Sequence, residues 1–111
     1  MTPLTPILDL DSRSLTIRLP GDLTSTNAEG LRAELSDCLG LGQGAPQQWN
    51  TFVLDLAAAK MVDSAGLNLI VSLLKWVQKR GGKMRVACSA PAVLRAFTFT
   101  RLDRHLELVK T

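Results

Sequence analysis

Phe52-Val53-Leu54-Asp55-Leu56, a connection from Ala57 to Val62, then Asp63-Ser64-Ala65-Gly66-Leu67 and an apolar-periodic run to Val77: the reading of this stretch decides the fold. Five mostly apolar residues bounded by polar Asn50-Thr51 and an alanine run predict a strand. Beyond Ser64, apolar residues at Leu67, Ile70, Val71, Leu74 and Val77 follow helical spacing along one face. Asp63 or Ser64 suits the helix N-cap, and Lys79-Arg80-Gly81-Gly82 supplies a cationic last turn and a glycine stop. Strand, connection and helix together define one unit of an α/β fold.

Ser64 stands where the first amides of a helix lack internal partners and carry the positive end of the dipole. A phosphate on its hydroxyl would meet donors there, with the amides of Gly66 or Leu67 expected to point outward. Gly66 allows another backbone to approach closely, having no side chain. Read alone, the pair Asp63-Ser64 needs nothing more than a capping role.

The flanking sequence extends the pattern in both directions. Leu4 to Leu10 reads as a strand that Pro3 and Pro6 push to a sheet edge, and Asp11-Ser12-Arg13 as a turn. Ser14 to Leu19 alternates strictly, with Leu15, Ile17 and Leu19 on one face, so the two strands form a hairpin. Thr26-Asn27-Ala28-Glu29 reads as a capping box opening a helix with Leu31, Leu35, Cys38 and Leu39 as its buried stripe. Gly40, Gly42, Gly44 and Pro46 end it in a loop carrying Trp49, read as a cover for the core edge. Lys83 to Cys88 alternates again, Pro91 opens a short helix burying Val93, Leu94 and Phe97, and Leu106 to Val109 is a last strand. A hairpin followed by three helix–strand repeats predicts a mixed, mostly parallel sheet with helices mainly on one face.

The 111 residues suit a single domain, 1–111, and 46% hydrophobic with 21% charged residues places it among soluble globular chains. No apolar run reaches the length of a membrane span, and Met1 to Leu10 lacks the basic start and apolar core of a signal peptide. A cytoplasmic protein without membrane insertion is expected. Cys38 and Cys88 lack metal-type spacing and read as buried free thiols. The net charge of +3 is too scattered to argue for direct nucleic-acid contact, while leaving an acidic partner open. His105 is the only histidine, and no spacing gives it metal or triad partners, so a surface position is expected. Asp55 and Asp63 read as a strand end and a helix cap. No catalytic set, metal site or cofactor loop emerges, and an enzyme is disfavoured.

Val53-Leu54-Asp55-Leu56, six residues, then Val62-Asp63-Ser64-Ala65-Gly66-Leu67 resembles the core of the STAS domain, the family of bacterial anti-sigma factor antagonists. Ile17-Arg18-Leu19-Pro20-Gly21-Asp22-Leu23, Gly81-Gly82-Lys83-Met84 and Pro91-Ala92-Val93-Leu94-Arg95-Ala96-Phe97 agree with it in order. The resemblance implies a non-enzymatic regulator of transcription that binds an anti-sigma factor protein serine kinase. It implies phosphorylation at Ser64, release of the kinase, and resetting by a phosphoserine phosphatase. Asp22, Thr24, Asp63, Ser64, Ala65 and Gly66 become the expected partner-binding residues. Thr24 stands where many antagonists carry an aspartate, and Arg101 where a glycine is usual. The resemblance also admits a second role, as an unphosphorylated scaffold or accessory subunit of stressosome or lipid-trafficking ABC transporter type. A small-ligand sensor is a third.

One feature lies outside the resemblance. Ala65, Leu69, Ser72 and Trp76, with Leu73 beside them, fall opposite the predicted core stripe of the Ser64 helix. Leu69 and Trp76 are therefore added to the expected contact surface, for a partner or a second copy forming a homodimer; a covering neighbour helix is the alternative.

Overall fold

The computed structural model describes residues 6–39 and 49–111, without the side chain of Leu39. The loop expected around Gly40 to Pro46 and the start of the strand expected at Leu4 lie outside these residues.

Strand β1 (Ile7–Asp9) turns back where the Asp9 carboxylate accepts the Asp11 amide at 3.0 Å, and β2 (Ser14–Arg18) returns antiparallel to it. Helix α1 (Ala28–Leu39) leads to β3 (Thr51–Leu56), α2 (Ser64–Lys79) to β4 (Lys83–Cys88), and α3 (Pro91–Phe99) to β5 (Glu107–Lys110). A short 3-10 turn, Leu102–Arg104, precedes β5. The strands lie in the order β1-β2-β3-β4-β5, so sheet order and chain order coincide. The pairs β2–β3, β3–β4 and β4–β5 are parallel. All three crossovers step the same way across the sheet. Right-handed connection then places α1, α2 and α3 on one face.

Strand alternation matches that placement. Leu15, Ile17, Phe52, Leu54, Leu56, Met84, Val86 and Cys88 are buried beneath the helices. The opposite parity, Thr16, Val53, Asp55, Arg85, Ala87 and Val109, is only half-buried. Two ion pairs cross that open face, Arg18 to Asp55 at 3.2 Å and Arg85 to Glu107 at 2.9 Å. Being solvated, each contributes at most about 1 kcal/mol. The interior contributes far more, roughly 1.5–3 kcal/mol for each side chain such as Phe52 or Ile70 taken fully out of water. Trp49 belongs to this core, its ring centroid 6.3 Å from that of Phe52. Cys88 is buried and Cys38 half-buried, both as free thiols whose pKa burial pushes up, keeping them protonated.

Two details differ from the sequence reading, and a third explains a departure noted in it. The buried face of α2 is Gly66, Leu69, Ile70, Leu73, Leu74 and Val77, rotated from the predicted stripe. Leu69 and Leu73 are therefore wholly buried, and Trp76 is half-buried against the same core, so no exposed patch forms on that helix. At the head of α1 the expected Thr26–Glu29 box does not form, Glu29 lying instead 3.8 Å from Arg32, and Asn27 ties the preceding loop. Its side chain accepts the Thr24 amide at 3.0 Å and donates to the Asp22 carbonyl at 2.8 Å. Arg101 takes a left-handed conformation at φ 62°, which explains why glycine suits that position. The strain is retained because Leu102 and Leu106 anchor the turn in the core.

Candidate functional site

Two loops meet at the carboxyl end of the sheet, and the head of α2 rests on both. The Asp22 carboxylate accepts the amides of Lys60 at 2.7 Å and Met61 at 3.2 Å, tying the β2–α1 loop to the β3–α2 loop. Leu23 and Val62 then pair as a parallel bridge, with the Leu23 amide donating to the Met61 carbonyl and the Asp63 amide to the Leu23 carbonyl, both at 3.2 Å. Gly66 lies directly under this bridge. A β-carbon there would overlap the Leu23 carbonyl oxygen, so the close approach requires glycine.

Asp63 is the N-cap of α2 and does two things at once. Its extended backbone lets Oδ1 accept the Gly66 amide at 2.9 Å, while Oδ2 accepts the Ser25 amide at 2.9 Å from the other loop. Donation from Gly66, then from Ser25, holds the carboxyl below the usual carboxylate range. Because the folded value is depressed, this stabilisation is complete above the unfolded value of roughly 3.9 and fades as pH falls through the lower folded value. Urea unfolding followed from pH 6 down to about 3 is expected to show a steeper loss of stability for the parent than for Asp63→Asn. Parallel curves would remove Asp63 from the acid transition.

Ser64, the first residue of α2, is exposed, and its hydroxyl has no hydrogen-bond partner among the described residues. The amides expected to face outward are in fact occupied. Gly66 donates to the Asp63 carboxylate, and Leu67 donates to the Asp63 carbonyl at 2.9 Å. A phosphate on Ser64 would thus meet the helix dipole and an ionised neighbour, rather than an open cradle of donors.

The structure brings Asp22, Thr24, Asp63, Ser64, Ala65 and Gly66 together, although their roles divide. Asp22 and Gly66 hold the loops, Asp63 caps and stitches, and Thr24 is half-buried with its backbone engaged by Asn27. Leu69 and Trp76 lie elsewhere. Leu69 faces the core, and Trp76 is twelve residues along α2 from Ser64, roughly 18 Å of helix. Two residues were not anticipated. Ser25 is exposed and donates across to Asp63, and Met61, 51% exposed, stands beside the capped helix as an apolar side chain in solvent. A large apolar residue two positions before the cap-type Asp63-Ser64 pair was the signal for Met61; Ser25 carried none.

Helices confined to one face of a five-stranded mixed sheet, with an exposed serine heading the central helix, define the architecture that the comparisons with known proteins match. The STAS domain family matches residues 5–111, and the chain belongs to it. The fold is shared with TM1081 of Thermotoga maritima, with TM-score 0.82 and 23% identity over 97% of this chain and 86% of that one. It is shared with an anti-sigma factor antagonist from Mycobacterium paratuberculosis, with TM-score 0.75 and 21% identity over 97% and 86%. The Bacillus cell fate determinant SpoIIAA in its phosphorylated form superposes with TM-score 0.67 and 20% identity over 96% and 91%. Among the described residues no helix is long and apolar enough to cross a membrane, and no group of side chains could hold a metal ion.

Proposed function

We propose that this chain is an anti-sigma factor antagonist switched at Ser64. In its unmodified state the surface made by the two loops and the first turn of α2 docks an anti-sigma factor protein kinase. The kinase transfers the γ-phosphoryl group of ATP to Ser64 Oγ, whose proton leaves to a base on the kinase. The phosphate adds about −1.5 to −2 charges beside ionised Asp63, within the docking surface, and the complex separates. A phosphoserine phosphatase restores the hydroxyl. The protein acts in the bacterial cytoplasm as a single domain, with Thr24, Ser25, Met61 and Ala65 as contact residues around Ser64.

The observation that carries this reading is the exposed, unpartnered Ser64 hydroxyl on a helix start held in place by other groups. Incubation with candidate anti-sigma kinases and Mg-ATP is expected to place one phosphate on the parent and none on Ser64→Ala. Ser64→Asp is expected to weaken kinase binding by about tenfold or more, a loss of roughly 1.4 kcal/mol, while the melting temperature stays nearly constant. A marked fall in stability with unchanged binding would instead make the serine a structural cap.

A further inference from the structure

At the amino end of the sheet, the last turn of α2 and the starts of β3, β4 and β5 enclose a groove of about 510 Å³. It lies fourteen residues of helix from Ser64, from Ser64 to Gln78, or roughly 21 Å. Its volume falls within the range of small-molecule sites. The charges around it are unequal. Glu107 is the carboxylate in its wall, and Arg85 already holds it at 2.9 Å. Lys83, Arg104 and His105 line the same groove with no carboxylate partner among the described residues.

The negative end of the α2 dipole faces this groove and works against an anion, so the side-chain cations must outweigh it. Two of the closing carbonyls are at least taken up within the chain: Gln78 accepts the Gly81 amide at 2.9 Å and Val77 the Gly82 amide at 3.0 Å. The turn carrying Arg104 and His105 is fixed by left-handed Arg101 before it and by buried Leu102 and Leu106 on either side. Two permanent cations and an imidazole thus line one open groove together with Thr51 and Gln78, the Thr51 hydroxyl itself donating to Asn50 Oδ1 at 3.3 Å. Guanidinium and ammonium donors in such an arrangement suit tetrahedral, multiply charged oxyanions.

The geometry points to a second binding site in this groove, for a small phosphate-bearing anion held by Lys83, Arg104 and His105. It is independent of the switch at Ser64. Inorganic pyrophosphate titrated into the intact chain at low salt, followed by backbone amide NMR shifts, is expected to saturate with the shifts centred on Lys83, Arg104 and His105. Lys83→Gln combined with Arg104→Gln is expected to weaken binding by at least about tenfold without lowering the unliganded melting temperature. Ser64→Asp is expected to leave the titration unchanged. Citrate serves as a second probe: binding as tight as that of pyrophosphate would overturn the assignment to phosphate chemistry. An unsaturated titration at millimolar pyrophosphate, or shifts centred on the α2 head, would overturn the site itself.

Discussion

Gly66→Ala is expected to lower the melting temperature by roughly 10 °C, corresponding to about 2 kcal/mol in a domain of this size. Two opposing terms decide the sign. Alanine inside a helix gains about 1 kcal/mol over glycine. Against this, the added carbon overlaps the Leu23 carbonyl oxygen and would stand 2.9 Å from both Leu23 Cγ and Val62 Cγ1. A flexible side chain could yield, but a backbone oxygen moves only with its loop. Moving that loop stretches the hydrogen bonds joining Leu23 to Met61 and Asp63, each contributing about 1 kcal/mol. Overpacking adds about 1–3 kcal/mol. The clash wins. Gly21→Ala is the control, since nothing lies within 4 Å of the carbon it would add. Equal melting temperatures for the two variants would show that the loop accommodates the methyl group.

Leu69→Ala is the second large effect, an expected loss of about 3 kcal/mol from lost burial and the cavity left behind. Leu69 is 0% exposed, among the side chains α2 turns toward the core. The folded fraction should bind the proposed kinase partner as the parent does, because Leu69 faces the core and is out of reach of a docking surface. Chemical denaturation gives the stability, and binding measured under fully folding conditions gives the affinity. Weakened binding with stability preserved would return Leu69 to the contact surface.

The path from residues to structure was uneven, and α2 shows why. Its strands and helices were readable because alternation in Ser14 to Leu19 and Lys83 to Cys88, and helical spacing after Ser64, are local signals. The orientation of α2 was not. Leu67, Leu69, Ile70, Val71, Leu73, Leu74, Trp76 and Val77 give the helix apolar residues around most of its circumference, so two stripes satisfied the same period. Gly66 settles the choice, and a glycine adds no hydrophobic weight to a pattern. The position of Ser64 on a helix start was legible for the same local reason. The division of labour around it was not, because the Asp22 carboxylate is occupied by amides 38 and 39 residues away. Asn27 likewise turns its side chain back to Thr24 and Asp22 rather than onto the first amides of α1, a use that the capping pattern did not signal.

The coincidence of sheet order with chain order bears on how the molecule is made. Each parallel strand joins the edge left by the strand before it, after one helical crossover, and no strand is inserted between two already paired. A chain emerging from the ribosome can therefore grow its sheet from the hairpin outward, in the order of translation. Parallel pairing is slow because each loop must close before its contacts reward it, and chain-order addition keeps every such closure to its shortest span. Until β5 arrives, the exposed edge is β4, whose Lys83 and Arg85 supply the charges that discourage pairing with a neighbouring nascent chain.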